Sequence, residues 1–233
     1  MPSLNEAVVL VTGANGGIGT DSVHDASPAA PARSTPPPAP PRTWEDKRIV
    51  PLTLDVTDPA SIQAAVEAAG DVTVLINNAG ASVSSPGILS HSDEEIRANV
   101  ETNFLGPPFL ARAFAPILSA KDESVIIDIH SAMRWYAVGG IYSATKAALW
   151  SATNSLRLEL APEGVHVVGV DVGYVDMAMA ANATDPKMDP ADLVRTVMDA
   201  VEAGEYEVLA DETSVELKAG GRTSGPRFPK AFS

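Results

Sequence analysis

Apolar and polar positions alternate in blocks along this chain. Short apolar runs of the buried-strand type stand at residues 7–11, 49–54, 72–76, 124–129, 165–170 and 206–210. The stretches between them carry helix signals. Asp58 and Pro59 predict an N-cap and a first turn, with the helix running to about Ala69 and stopping at Gly70. Ser92 and Glu95 have capping-box spacing, so a helix is predicted from near Asp93 toward Leu118, disturbed at Gly106, Pro107 and Pro108. The longest helix is predicted over 140–160, ending before Pro162 and Gly164, and another runs from Pro190 to about Ala203. Strand and helix in alternation predict an α/β fold: a doubly wound, mostly parallel sheet of Rossmann type, covered on both faces. A single domain is expected over 1–220, with a loose tail over 221–233.

Residues 25–43 break this pattern. Prolines at 28, 31, 36, 37, 38, 40 and 41 are incompatible with a helix interior and with a central strand. An irregular or disordered Pro-rich insert is therefore expected where a second βα unit would lie. A GC-rich coding of residues 24–37, read two bases out of frame, can encode the end of a basic helix, a glycine turn and a β-branched strand. The segment is thus compatible with a compensated frameshift, which the gene sequence would test.

Composition narrows the function. With 233 residues and 45% hydrophobic content the chain can bury a sizeable core. Its net charge of −14 argues against nucleic acid and anionic membranes as partners. There is no cysteine, and His24, His91, His130 and His166 lack metal-ligand spacing, so no metal site and no metal hydrolase is expected. His130 adjoins Ser131 but should point to the opposite face of its strand, as a structural residue. No leader and no membrane-spanning apolar run is read from the sequence, which makes a cytoplasmic enzyme the expectation.

Three predicted strands end in polar or glycine-rich groups. The first leads into Thr12, Gly13, Ala14, Asn15, Gly16, Gly17, Ile18 and Gly19, a turn that lets backbone N–H groups approach a pyrophosphate at a helix N-terminus. Another ends in Asn77, Asn78, Ala79 and Gly80, and a third in Ser131. On the long helix, Tyr142 and Lys146 project from one face. An ammonium beside a phenol is expected to lower the phenol pKa, giving a proton donor and acceptor usable near neutral pH, while a nearby serine holds the reacting oxygen.

In this order the motifs T-G-x-x-x-G-I-G, N-N-A-G and Y-x-x-x-K resemble those of the short-chain dehydrogenase/reductases. The likeness covers nearly the whole chain except residues 20–48 and the last dozen. The resemblance implies an NAD(P)(H) cofactor and a set of roles. Tyr142 would be the general acid/base and Lys146 would lower its pKa, both also touching the nicotinamide ribose. Ser131 would polarise the substrate carbonyl, and Asn103 would hold a water in a proton relay. Thr12, Gly13, Asn15, Gly17, Ile18 and Gly19 would take the pyrophosphate, Asp55 and Val56 the adenine. Asn78, Ala79 and Gly80 would flank the cofactor, with Gly173 and Val175 contacting the nicotinamide. Departures occur at Val172, where the family commonly has proline, and at Met177, near which it has a threonine for the carboxamide. Gly16 stands where many NADP users carry a basic residue, and NAD versus NADP stays open. The implied activity is interconversion of an alcohol and a carbonyl on a small molecule. Its pocket is expected from residues 81–89, 133–138 and 177–189. Pairing of copies through helices 93–118 and 140–160, where Leu149 and Trp150 lie, is also implied. The alternative left by the Pro-rich segment is a noncatalytic or cofactor-impaired relative acting in interaction or sensing.

Overall fold

The computed structural model describes residues 4, 7–25, 44, 46–82 and 87–220. Five parallel strands lie in chain order: β1 (Val9–Val11), β2 (Val74–Asn77), β3 (Ser124–Ile129), β4 (Val165–Asp171) and β5 (Glu207–Leu209). Their side chains alternate between two cores, as period two requires. Val9, Val11, Ile76, Ile127 and Val170 face one side, with α1 (Gly17–Asp25) and α6 (Pro190–Glu202) laid over them. Leu10, Leu75, Ile126 and Val167 face the other, under α2 (Pro59–Ala68), α4 (Gly106–Leu118) and the end of α5 (Ile141–Leu160). Phe114 and Leu110 of α4 are fully enclosed there, each contributing about 1.5–3 kcal/mol by burial. The doubly wound parallel sheet is thus borne out.

Local signals set several boundaries. Asp58 caps α2 by accepting from the Ala60 N–H, and Ser92 with Glu95 forms a complete capping box on α3 (Asp93–Val100). The disturbance expected at residues 106–108 falls just before them. Residues Glu101–Leu105 form a π turn in which the Gly106 N–H donates to the Glu101 carbonyl. The prolines cause it. Pro107 and Pro108 have no N–H for the carbonyls of Asn103 and Phe104, so the α ladder is interrupted.

Two expectations need correction. Residues 49–54 form no strand; they run without a ladder, while Leu54 and Val56 bury themselves in the core beside α2 and α4. A strand needs a paired neighbour, and among the described residues the sheet ends at β1 on that side. Residues 212–218, given no element from the sequence, form α7 (Glu212–Lys218), capped by Asp211, which accepts from the Ser214 N–H. The Pro-rich residues 26–43 and the tail 221–233 lie outside the described residues. No described helix is long and apolar enough to cross a membrane.

Candidate active site

The carboxyl ends of β1 to β4 meet on one edge of the sheet, where ligands of open α/β sheets bind. The Thr12 hydroxyl, at the end of β1, accepts from the Asn78 and Ala79 N–H groups at 3.0 and 2.9 Å. The Asn78 amide in turn donates to the Thr12 carbonyl at 2.9 Å. These bonds bring the glycine-rich turn and the N-N-A-G segment together as one unit. Gly13 must be glycine: its φ is +72°, and a Cβ there would lie 2.9 Å from the Ala79 Cα. Asn15 sits in this turn, Gly17 opens α1, and Ile18 and Gly19 are buried in its first turn.

Beyond β3, Ser131 is buried and its hydroxyl accepts from the Met133 N–H at 3.2 Å. Tyr142 and Lys146 rise from the first two turns of α5. Lys146 is 4% exposed, and its Nζ donates to the Ile129 carbonyl at 2.7 Å. Burial lowers its pKa to about 8, against the pull of the Asp128 and Asp171 carboxylates. Tyr142 departs from expectation. Enclosure by protein raises its pKa, and a hydrogen bond with Ser131 only partly offsets this. The Lys146 Nζ stands 5.8 Å from the phenol ring centre, committed to the Ile129 carbonyl, so desolvation outweighs it.

Asn103 is fully buried in the π turn. Its amide donates to the Ala81 carbonyl at 2.8 Å, and its Oδ1 accepts from the Ala81 N–H at 2.8 Å. The side chain is therefore spent on fixing the segment after Gly80. The Asn103 carbonyl has no donor from Pro107 in α register or from Pro108 in π register.

A cavity of about 300 Å³ opens here. Ile18, Asn78, Gly80, Ser131, Tyr142 and Lys146 line it, with Gly173 and Val175 on the far wall. Thr12, Gly13, Asn15, Gly17, Gly19, Ala79 and Asn103 support the site from outside the lining; Asp55 and Val56 lie outside it too. The Gly173 N–H is already donated to Asp211 at 2.8 Å, leaving only its carbonyl for a ligand. Of the expected substrate segments, Ser82, Met133, Met177, Met179 and Ala180 are in place, whereas residues 83–86 fall outside the described residues. Thr213 and Leu217 of α7 complete the wall. The D-x-x-S cap before α7 was the one signal that could have found them. His130, expected to be structural, bonds Thr153 through Nε2 at 2.8 Å and also borders the cavity. Among the described residues no cluster of side chains could hold a metal.

The chain matches the family profile "short chain dehydrogenase" over residues 7–188. It belongs to that family. This short-chain dehydrogenase is accordingly an oxidoreductase, with NAD(P) as its cofactor class. It is 27% identical, over 95% of its length and 96% of the relative's, to an NADP-dependent 3-hydroxy acid dehydrogenase of Schizosaccharomyces pombe. It is also similar to a crystal structure of a short-chain dehydrogenase from Burkholderia cenocepacia in complex with NADP, at 30% identity, TM-score 0.84 and 94% coverage of both chains. A Burkholderia phymatum structure in complex with NAD, at 19% identity and TM-score 0.79, shares the fold over 98% of this chain and 100% of that one.

The site of this short-chain dehydrogenase fits the nicotinamide half of such a dinucleotide. The glycine turn presents the start of α1, and the cavity wall from Ile18 to Lys146 is continuous with it. Met177 lies over the turn: a Cβ on Gly17 would sit 2.7 Å from its Sδ. Asp55, expected to meet the adenine, is fixed by the Thr57 N–H and hydroxyl, at 2.9 and 2.7 Å.

Proposed function

We propose that this enzyme interconverts a small, uncharged alcohol and the corresponding carbonyl, with Tyr142 as general acid/base. The observation that carries this reading is the meeting of Ser131, Tyr142 and Lys146 in one cavity beside the glycine-rich turn. Bound NAD(P) supplies the hydride chemistry. In the direction of reduction, the Tyr142 hydroxyl gives its proton to the substrate oxygen while Ser131 holds that oxygen. The Lys146 ammonium stabilises the phenolate left behind, and the Asn103 carbonyl anchors the water through which a proton returns. The apolar side chains of Met133, Met177, Met179, Ala180 and Leu217 support an apolar substrate.

Tyr142→Phe should lower kcat by about 10²–10⁴ while NADH or NADPH still raises the melting temperature as in the parent. Equal turnover in parent and variant would refute the assignment. A homo-oligomer and a cytoplasmic setting belong to the same reading. Trp150 and Leu158 of α5 are exposed apolar residues, which supports pairing of that helix with a second copy. A monomer in sedimentation at micromolar concentration would exclude the pairing.

A further inference from the structure

Beneath the pocket floor lie two buried carboxylates that the reaction as proposed does not use. Asp171, at the end of β4, has its cation: Arg134 donates to both of its oxygens, at 2.7 and 2.9 Å. Asp128 of β3 is equally buried, and among the described residues no salt bridge joins it. Its Oδ1 accepts from the Asn77 amide at 2.8 Å and its Oδ2 from the Thr153 hydroxyl at 2.7 Å. Both partners are neutral. A carboxylate sealed away from water is costly unless a cation offsets its charge.

The geometry of α5 supplies one. Lys146 and Thr153 lie two turns apart on the same face. Thr153 grips the Asp128 carboxylate, and the Lys146 Nζ donates to the carbonyl of Ile129, the next residue on the strand. Helix and strand thus carry the unmatched anion and the unmatched cation at neighbouring points of one contact. The groups around Lys146 are Tyr142 on its own helix, Asp128 on β3, His130 just after β3, Asp171 on β4, and Arg134 on the turn after β3. Arg134 neutralises Asp171, and the His130 Nε2 is bonded to Thr153, with Nδ1 left unbonded 3.8 Å from Asp171. Asp128 remains as the carboxylate that no salt bridge joins among the described residues.

We propose that Asp128 is a positioning residue of the active site, the buried counter-charge that keeps the Lys146 ammonium cationic beneath the substrate. The proposal rests on the reading of Tyr142 and Lys146 given above, and burial, which lowers the Lys146 pKa to about 8, is what makes such help matter at neutral pH.

Asp128→Asn tests it with little disturbance. The new amide oxygen can accept from Asn77, and its NH₂ can donate to the Thr153 oxygen, whose own hydrogen is then kept by the Leu149 carbonyl at 2.9 Å. Titration of the ¹³Cε-labelled Lys146 by NMR, in protein free of cofactor, should show a midpoint lower by about one pH unit or more. The alkaline limb of carbonyl reduction should move down with it, so that activity falls at pH 8 more than at pH 6. An unchanged midpoint in the folded variant overturns the proposal. That titration does not depend on turnover. If Tyr142→Phe kept full activity, the catalytic reading would fall while the Asp128–Lys146 coupling remained measurable.

Discussion

Lys146 is an unfavourable residue to fold around. Its ammonium leaves water for one carbonyl at 2.7 Å and two carboxylates it does not touch. The folded pKa of about 8 lies below the ordinary 10.5, so the sign of the pH dependence follows. Below pH 8 both folded and unfolded chains carry the proton and the whole penalty applies. Between about 8 and 10.5 the folded chain loses its proton first, and stability rises with pH. Above 10.5 the penalty is gone. Lys146→Met should therefore be more stable than the parent by about 1–3 kcal/mol at pH 7. The difference should shrink steadily in urea denaturation repeated up to pH 10; a constant difference would show that the ammonium is not penalised. The sequence placed Tyr142 and Lys146 on one helix face from spacing alone, because i,i+4 geometry is local. It could not give the direction of the Tyr142 shift. That depends on how much protein surrounds the phenol, and on the Ile129 carbonyl having claimed the lysine.

At the scale of elements, a pair of prolines shapes the helix that carries Asn103. Pro107 and Pro108 are tolerated because they open α4, yet they deny donors to the carbonyls one turn back, and the chain answers with the π turn Glu101–Leu105. Asn103 stands in the middle of that turn, with its side chain bound to Ala81 and its carbonyl left without an intrahelical donor. If that carbonyl anchors the relay water, Pro107→Ala together with Pro108→Ala should let the α ladder close. Turnover should fall by about tenfold, at the low end of what a proton-transfer group supplies. Helix stability should rise, since two interior N–H groups are gained. Unchanged kcat alongside a raised melting temperature would remove the carbonyl from the proton path. The caps at Asp58 and Ser92, and the disturbance near Pro107, were legible because each depends on residues within one turn. The absence of a strand over 49–54 was not, since apolar residues alone do not provide a ladder partner. α7 offered only its D-x-x-S cap: it is short, and its role in walling the cavity through Thr213 and Leu217 comes only from tertiary packing.

For the molecule as a whole, one guanidinium ties together elements far apart in sequence. Arg134, on the turn after β3, pairs with Asp171 at the end of β4 and with Glu207 at the start of β5, at 2.7 and 3.1 Å. It stacks on Trp135, 3.6 Å from the ring centre, and stands 4.7 Å from that of Trp150 on α5. The short edge strand β5, the long helix and the floor of the active site thus share one buried cation. Burial alone would raise the Asp171 pKa, but the nearby His130 ring and the two hydrogen bonds from Arg134 overcome this and hold it below the ordinary 3.8. The stability this gives is present in full above the unfolded value and is lost as pH falls through the depressed folded value. Arg134→Met leaves Asp171 enclosed without its partner, which should destabilise the protein by about 3–5 kcal/mol. It should also reverse the direction of the Asp171 shift, so that acid unfolding begins at a higher pH than in the parent. Circular dichroism followed from pH 7 to pH 2 would read both effects. An acid midpoint common to parent and variant would mean that Asp171 draws its low pKa from elsewhere.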